Sequence, residues 1–174
     1  WLGPSRFRNE FPEGFHLDMS KKGVSEVLSK GMAVNQPNAK GSLRELKFMN
    51  AIEHPDSPLV LVEANDRQLF QGKITEYDIV AMEARSGGIV VYESKDWKIR
   101  NRQQLDHAKD QISRIIARAK SEGIEQVTWV NREGISDAYL DEFTEHVESL
   151  GGRADFNAST GPKTVATGKA QSFA

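Results

Sequence analysis

The chain has 174 residues, enough for one compact domain with a hydrophobic core and an extension at one or both ends. It contains no cysteine, which excludes disulfide scaffolds, thiolate zinc sites and cysteine nucleophiles together. A formal net charge of −2 argues against a uniformly basic coat, and no window approaches the roughly 20 apolar residues of a membrane-spanning helix.

The first 40 residues mix Phe7, Phe11, Phe15 and Leu17 with glycine and proline, then offer a short helical stretch around Val24 and Leu28. This predicts an N-terminal lead-in that packs on the core. The chain starts at Trp1 with no charged-then-apolar leader, so the expectation is a soluble domain that is a piece of a longer polypeptide or a processed product. Ser42-Leu43-Arg44-Glu45 reads as a capping box that opens a helix reaching to about residue 53, with Leu43, Leu46, Met49 and Ile52 inward. His54 and Pro55 end it. Residues 59–62 form a short apolar strand, and residues 74–82 alternate as a longer one. Arg85-Ser86-Gly87-Gly88 supplies turn chemistry, and residues 89–92 continue as a third strand.

Over residues 101–121, Leu105, Ala108, Ile112, Ile115, Ile116 and Ala119 recur at helical spacing, and Gly123 closes the segment. Residues 126–130 read as a strand, and residues 136–150 as an amphipathic helix carrying Tyr139, Leu140, Phe143 and Val147. The expected fold is α/β, with an αβββαβ core inside residues 41–156. An antiparallel meander leads into a helical crossover that sets the third and fourth strands parallel, and helices cover both faces of the mixed sheet. Residues 157–174, rich in Ser, Thr, Gly, Ala and Lys without apolar periodicity, are expected to be a disordered tail.

Charge is unevenly spread. Residues 95–120 hold eight Lys/Arg against three Asp/Glu, and residues 121–156 hold two against nine, which predicts a bipolar molecule. Three charged residues interrupt otherwise apolar strands: Asp78, then Glu93 and Lys95. Buried-looking strands tolerate charge only for a reason. Glu93 and Lys95 are two apart and share one face. A two-residue loop near Gly87 pairs even-numbered residues with odd-numbered ones, which brings Asp78 to the same face, within reach of both. Two carboxylates on adjacent strands repel unless a hard cation such as Mg²⁺ or Mn²⁺ lies between them, and Zn²⁺ is the weaker candidate. Such a cation supports phosphodiester hydrolysis, with Lys95 beside it to orient water or stabilise developing charge.

The order of a helix Glu, a strand Asp and a following Glu-x-Lys strand resembles the PD-(D/E)xK, or restriction-endonuclease-like, nuclease superfamily over residues 42–130. Glu45, Asp78, Glu93 and Lys95 match its motif positions, while Tyr77 stands where a proline often does. The resemblance implies a metal-dependent nuclease, with Asp78 and Glu93 as metal ligands and Glu45 assisting. It extends to the C-terminal effector domains of bacterial polymorphic and contact-dependent growth-inhibition toxins. These cut DNA or tRNA, and DNA is favoured here. A toxin of this kind is secreted or delivered from the cell surface, acts in the cytoplasm of a target bacterium, and requires a cognate immunity protein. The expected immunity protein covers the basic surface of residues 95–120. A non-catalytic nucleic-acid- or protein-binding domain that keeps the fold is the alternative.

Gln104, His107, Gln111, Arg114 and Arg118 fall within about 80° of one another on the long helix, beside its apolar face. With Lys98, Arg100 and Arg102 just upstream, they are candidates for contacting a phosphate backbone or bases. Other motifs are weaker. Gly72-Lys73 lacks the earlier glycine of a phosphate loop, His16, His54, His107 and His146 show no metal-ligand spacing, and Trp97 and Trp129 read as core or rim aromatics.

Overall fold

The computed structural model describes residues 8–33 and 37–156. In chain order they form α1 (Val24–Gly31), α2 (Ala39–Ile52), β1 (Leu59–Phe70), β2 (Lys73–Glu83), β3 (Ile89–Lys95), α3 (Arg102–Ser121), β4 (Gln126–Asn131), α4 (Asp137–Ser149) and β5 (Arg153–Asp155). The strands make one mixed sheet in the order β1-β2-β3-β4-β5, antiparallel up to β3 and parallel from β3 to β5. The α/β class, the meander and the parallel pairing of β3 with β4 agree with the apolar patterning. Among the described residues no helix is long and apolar enough to cross a membrane.

Each sheet face carries its own core. On one, Val24 and Val27 of α1 and Leu46, Met49 and Ile52 of α2 pack on Ile79, Ala81, Val90 and Tyr92, joined by Phe11 and Leu17 of the lead-in. On the other, Leu105, Ile112 and Ile116 of α3 and Phe143 and Val147 of α4 pack on Val91, Val127 and Trp129. Full burial of one such aliphatic side chain contributes about 1.5–3 kcal/mol. Helical periodicity in α3 and the continuous buried runs 77–81 of β2 and 90–93 of β3, which replace the alternation expected of residues 74–82, dictate a sheet covered on both faces. Gly23 seats α1 on β1. At φ 82°, a Cβ there would lie 2.0 Å from the Ala64 carbonyl oxygen, and only glycine permits the approach that lets the Ala64 N–H reach the Lys22 carbonyl at 2.9 Å.

Four expectations need correction. β1 runs for 12 residues, far past residue 62, with a register shift between Leu61 and Glu63. Its outer half forms a hairpin with β2 through Gln71 (φ 48°) and Gly72 (φ 78°), both in the left-handed region that a tight two-residue hairpin turn requires. Polar residues hid this half: Asp66 is buried in spite of its charge, and residues 67–69 beyond it are exposed. The turn between β2 and β3 spans residues 84–87, closed by Glu83 N–H on the Gly88 carbonyl at 2.9 Å, instead of two residues. An even loop preserves the same pairing parity. α2 starts at Ala39 behind Asn38 with no side-chain cap, so Ser42 lies buried inside the helix and there is no capping box. β5 was not expected. Its three residues extend the parallel edge beside β4. The expected disordered tail, residues 157–174, lies outside the described residues, as do Trp1 and Phe7.

Candidate active site

Pairing between β2 and β3 ends at Ile79 opposite Tyr92. One step further the strands part, and the Asp78 carboxylate takes over from the backbone: its Oδ2 accepts the Ser94 N–H at 2.9 Å. Glu93, 1% exposed, follows Tyr92 on β3. Its Oε1 accepts from Lys95 Nζ and, at 2.9 Å, from Gln111 Nε2 of α3. Its Oε2 is buried with no amide, hydroxyl or ammonium donor, and the Asp78 carboxyl, when it keeps its proton, is the further donor that Glu93 meets. Glu45 enters from α2 and lines, with Asp78 and Lys95, a cleft of about 250 Å³. A second cleft of about 280 Å³ opens towards α3, lined by Ile74, Thr75, Glu93, Gln111 and Arg114, and it too is bounded by Asp78 and Lys95. The parting of two strands therefore makes the site and opens it on both sides.

The electrostatics follow from crowding carboxylates in a dry place. Burial, then the charge of Glu93, holds Asp78 well above the ordinary carboxylate range. Burial raises Glu93 as well, against the pull of Lys95. Glu45 is pushed up to about 8 by burial, then by Glu93 and Glu76. Burial alone would lower Lys95, but Glu93 and Asp78 outweigh it and keep the ammonium charged. Ionised together, three carboxyl groups against one ammonium would be an excess of negative charge, so without an ion they retain protons whose place a bound cation would take.

Among the described residues no three Asp, Glu or His side chains are already gathered as a ligand cage. The donor set that fits is smaller: the oxygens of Asp78 and the orphaned Oε2 of Glu93, completed by water and substrate phosphate, as Mg²⁺ and Mn²⁺ accept. The absence of sulfur and imidazole from the cluster disfavours Zn²⁺.

The residues proposed to meet nucleic acid separate. Gln111 and Arg114 reach the α3 cleft. Lys98 and Arg100 are exposed before α3, His107 is exposed with its ring 6.3 Å from that of Trp97, and Gln104 accepts the Arg100 N–H at 2.8 Å. Arg102 is turned to α4, where its guanidinium meets Glu142 at 2.6 Å. Lys109 binds the same carboxylate at 3.0 Å. The acidic and basic helices thus meet at this one carboxylate. The expectation for Arg118 is corrected. It is 2% exposed, donates to the carbonyls of Asp66 and Thr75 at 2.8 and 2.9 Å, and meets the Asp66 carboxylate at 2.6 Å and Glu122 at 2.9 Å. Its guanidinium stacks 3.7 Å from the centre of the Tyr77 ring. No nitrogen remains for a phosphate.

Sequence reasoning missed Thr75 and Ser94. Ser94 acts through its N–H, which no side-chain pattern reveals, and Thr75 looked like an ordinary strand residue. A larger hollow of about 460 Å³ between the ends of α3 and α4 shares no residue with the carboxylate cluster. No family model, curated protein or solved structure matches this chain, so the case for its chemistry rests on these residues and their arrangement.

Proposed function

We propose that the chain is a divalent-metal-dependent nuclease that hydrolyses phosphodiester bonds in nucleic acid, DNA before tRNA. One observation carries this reading: Glu93 is buried beside Asp78 with one oxygen held by Lys95 and Gln111 and the other without an amide, hydroxyl or ammonium donor. A purely structural ion pair would not set two buried carboxyls together so that only a proton retained by Asp78 satisfies them, whereas a divalent cation between them would remove that need. Asp78 and Glu93 would hold Mg²⁺ or Mn²⁺, and Glu45 would assist through water. The ion would supply Lewis-acid activation of water and of the phosphoryl oxygen.

The remaining chemistry belongs to the chain. Lys95, kept charged by its neighbours, orients the attacking water and offsets the negative charge that grows on the phosphate oxygens. Gln111 fixes the rotamer of Glu93, and the Ser94 N–H fixes that of Asp78. Glu45, protonated up to about pH 8 without an ion, has the range to exchange a proton with water near neutrality. The accompanying proposals of a delivered antibacterial toxin and a cognate immunity protein over this cleft rest on the superfamily resemblance.

The test is cleavage of plasmid and of total tRNA, with Mg²⁺ or Mn²⁺ and with chelator, by the parent and by Lys95→Ala. Metal-dependent cutting by the parent alone is expected, with Lys95→Ala still binding Mn²⁺ in calorimetry. Binding of either polymer without cutting would favour a non-catalytic domain, and harmless expression in bacteria would remove the toxin reading.

A further inference from the structure

Among the described residues, four buried side-chain polar atoms lack a hydrogen-bond partner, and three of them belong to one cleft: Thr75 Oγ1, Glu93 Oε2 and Arg114 Nε. They come from β2, β3 and α3. Buried polar atoms are almost always paired, so three orphans on three elements around one cavity mark a place where something else supplies the partners. The free oxygen of Glu93 is accounted for by the metal reading. The other two are both donors, one hydroxyl and one guanidinium N–H.

Their surroundings suit one ligand. Ile74, 62% exposed, and Ile115 give the cleft apolar walls. Glu76, the remaining carboxylate on its rim, is neutralised by Arg67. The outer nitrogen of Arg114 lies 3.3 Å from Asp110 on the preceding turn, which orients the guanidinium, and its Nε is buried. Thr75 is 4% exposed, and Arg118 grips its carbonyl, so the backbone that carries its hydroxyl is held in place. Two fixed donors beside an apolar wall match a phosphate with its nucleoside attached. Asp78 and Lys95 border this cleft as well as the α2 cleft, so the cleft adjoins the cluster at which a strand would be cut.

We propose that the cleft between β2 and α3 seats the phosphate adjacent to the scissile one, with Thr75 and Arg114 donating to its oxygens and Ile74 packing on the attached nucleoside. This rests on the nuclease reading above and adds a second anchoring point that Asp78, Glu93 and Lys95 do not provide.

The experiment uses an oligonucleotide whose cleavage site has been mapped with the parent protein and Mg²⁺. Copies carrying one neutral methylphosphonate at successive positions are then bound in Ca²⁺, read by fluorescence anisotropy, by the parent, Arg114→Gln and Thr75→Val. At the position next to the cut, the parent should lose about tenfold or more in affinity. Arg114→Gln should show that loss already with the natural oligonucleotide and lose nothing further with the modified one. Thr75→Val should show a smaller, equally non-additive loss, and it carries the test alone should Arg114→Gln fail to fold. Additive losses at every position, or folded variants that bind like the parent, would overturn the proposal while the nuclease reading stands. A parent that neither cuts nor binds any polymer would remove the nuclease reading and this one with it.

Discussion

Arg118 and Lys95 are both cations buried against carboxylates, and both lie between β2 and its neighbours. Around Arg118 every guanidinium nitrogen is engaged, by two carbonyls and two carboxylates, and the Tyr77 ring covers its face. Tyr77 in turn donates its hydroxyl to Glu122 at 2.8 Å. Around Lys95 the balance is reversed: Asp78, Glu93 and Glu45 crowd one ammonium, their pKa values are raised, and one oxygen of Glu93 lacks an amide, hydroxyl or ammonium donor. A buried ion pair that only holds a fold together is completed by its own chain, because each missing partner costs stability. A cluster left incomplete is one whose partners arrive from outside.

Breaking the complete cluster should have the largest effect. Arg118→Met leaves Asp66 buried without its cation and should destabilise the fold by about 3–5 kcal/mol, read from the urea midpoint. A loss below about 1 kcal/mol, the scale of a surface pair, would mean that the clamp is ornamental. The incomplete cluster should respond the other way. Glu93→Gln or Asp78→Asn should lower metal-dependent cleavage by about a hundredfold or more while leaving the melting temperature unchanged or higher, since a repelling charge is removed. Cleavage at the parental rate would displace the metal site.

The pH dependence of stability sharpens the contrast. Between the ordinary carboxylate value of 4.5 and about 8, folded Glu45 keeps a proton that the unfolded chain has lost; Asp78 is raised in the same direction. The folded state then binds more protons, so this stabilisation is complete below about pH 4.5 and disappears as pH rises towards 8. Without metal, thermal scans should show stability falling by roughly 1.4 kcal/mol per pH unit for each such proton, and Glu45→Gln should flatten the slope. Rising stability across that window would contradict the crowding of the carboxylates. The smallest effect is expected from Gln111→Ala, about tenfold in Mn²⁺ affinity by calorimetry, because it only releases the rotamer of Glu93.

Much of this contrast was legible in the chain and part of it was not. Asp78, Glu93 and Lys95 stood out because they interrupt apolar runs that are buried on both faces, and parity alone brought them to one place whatever the even loop length. Arg118 misled for a physical reason. Helical spacing puts it beside the apolar stripe of α3, where it looks like a solvated flank. Only a β1 long enough to bring Asp66 under α3 converts it into a buried cation, and the outer half of β1 is too polar to be read as a strand. The start of α2 was misplaced because Ser42 and Glu45 mimic a cap, while the observed start at Ala39 relies on Asn38 without any side-chain bond. At three residues, β5 is shorter than any period that patterning can detect.

By holding the carbonyls of Asp66 and Thr75 at once, Arg118 grips both strands of the β1–β2 hairpin from α3. That grip opposes any swing of the hairpin as a flap over the α3 cleft, and it acts before any ligand arrives. Amide exchange should record this as a boundary within one hairpin: residues near Asp66 and Tyr77 should exchange only on global unfolding, while the tip at Gln71 and Gly72 exchanges freely. A side chain with no part in the chemistry would then act as the gauge block of the cleft, and loosening it should blunt discrimination between ligands of different girth before it slows any reaction.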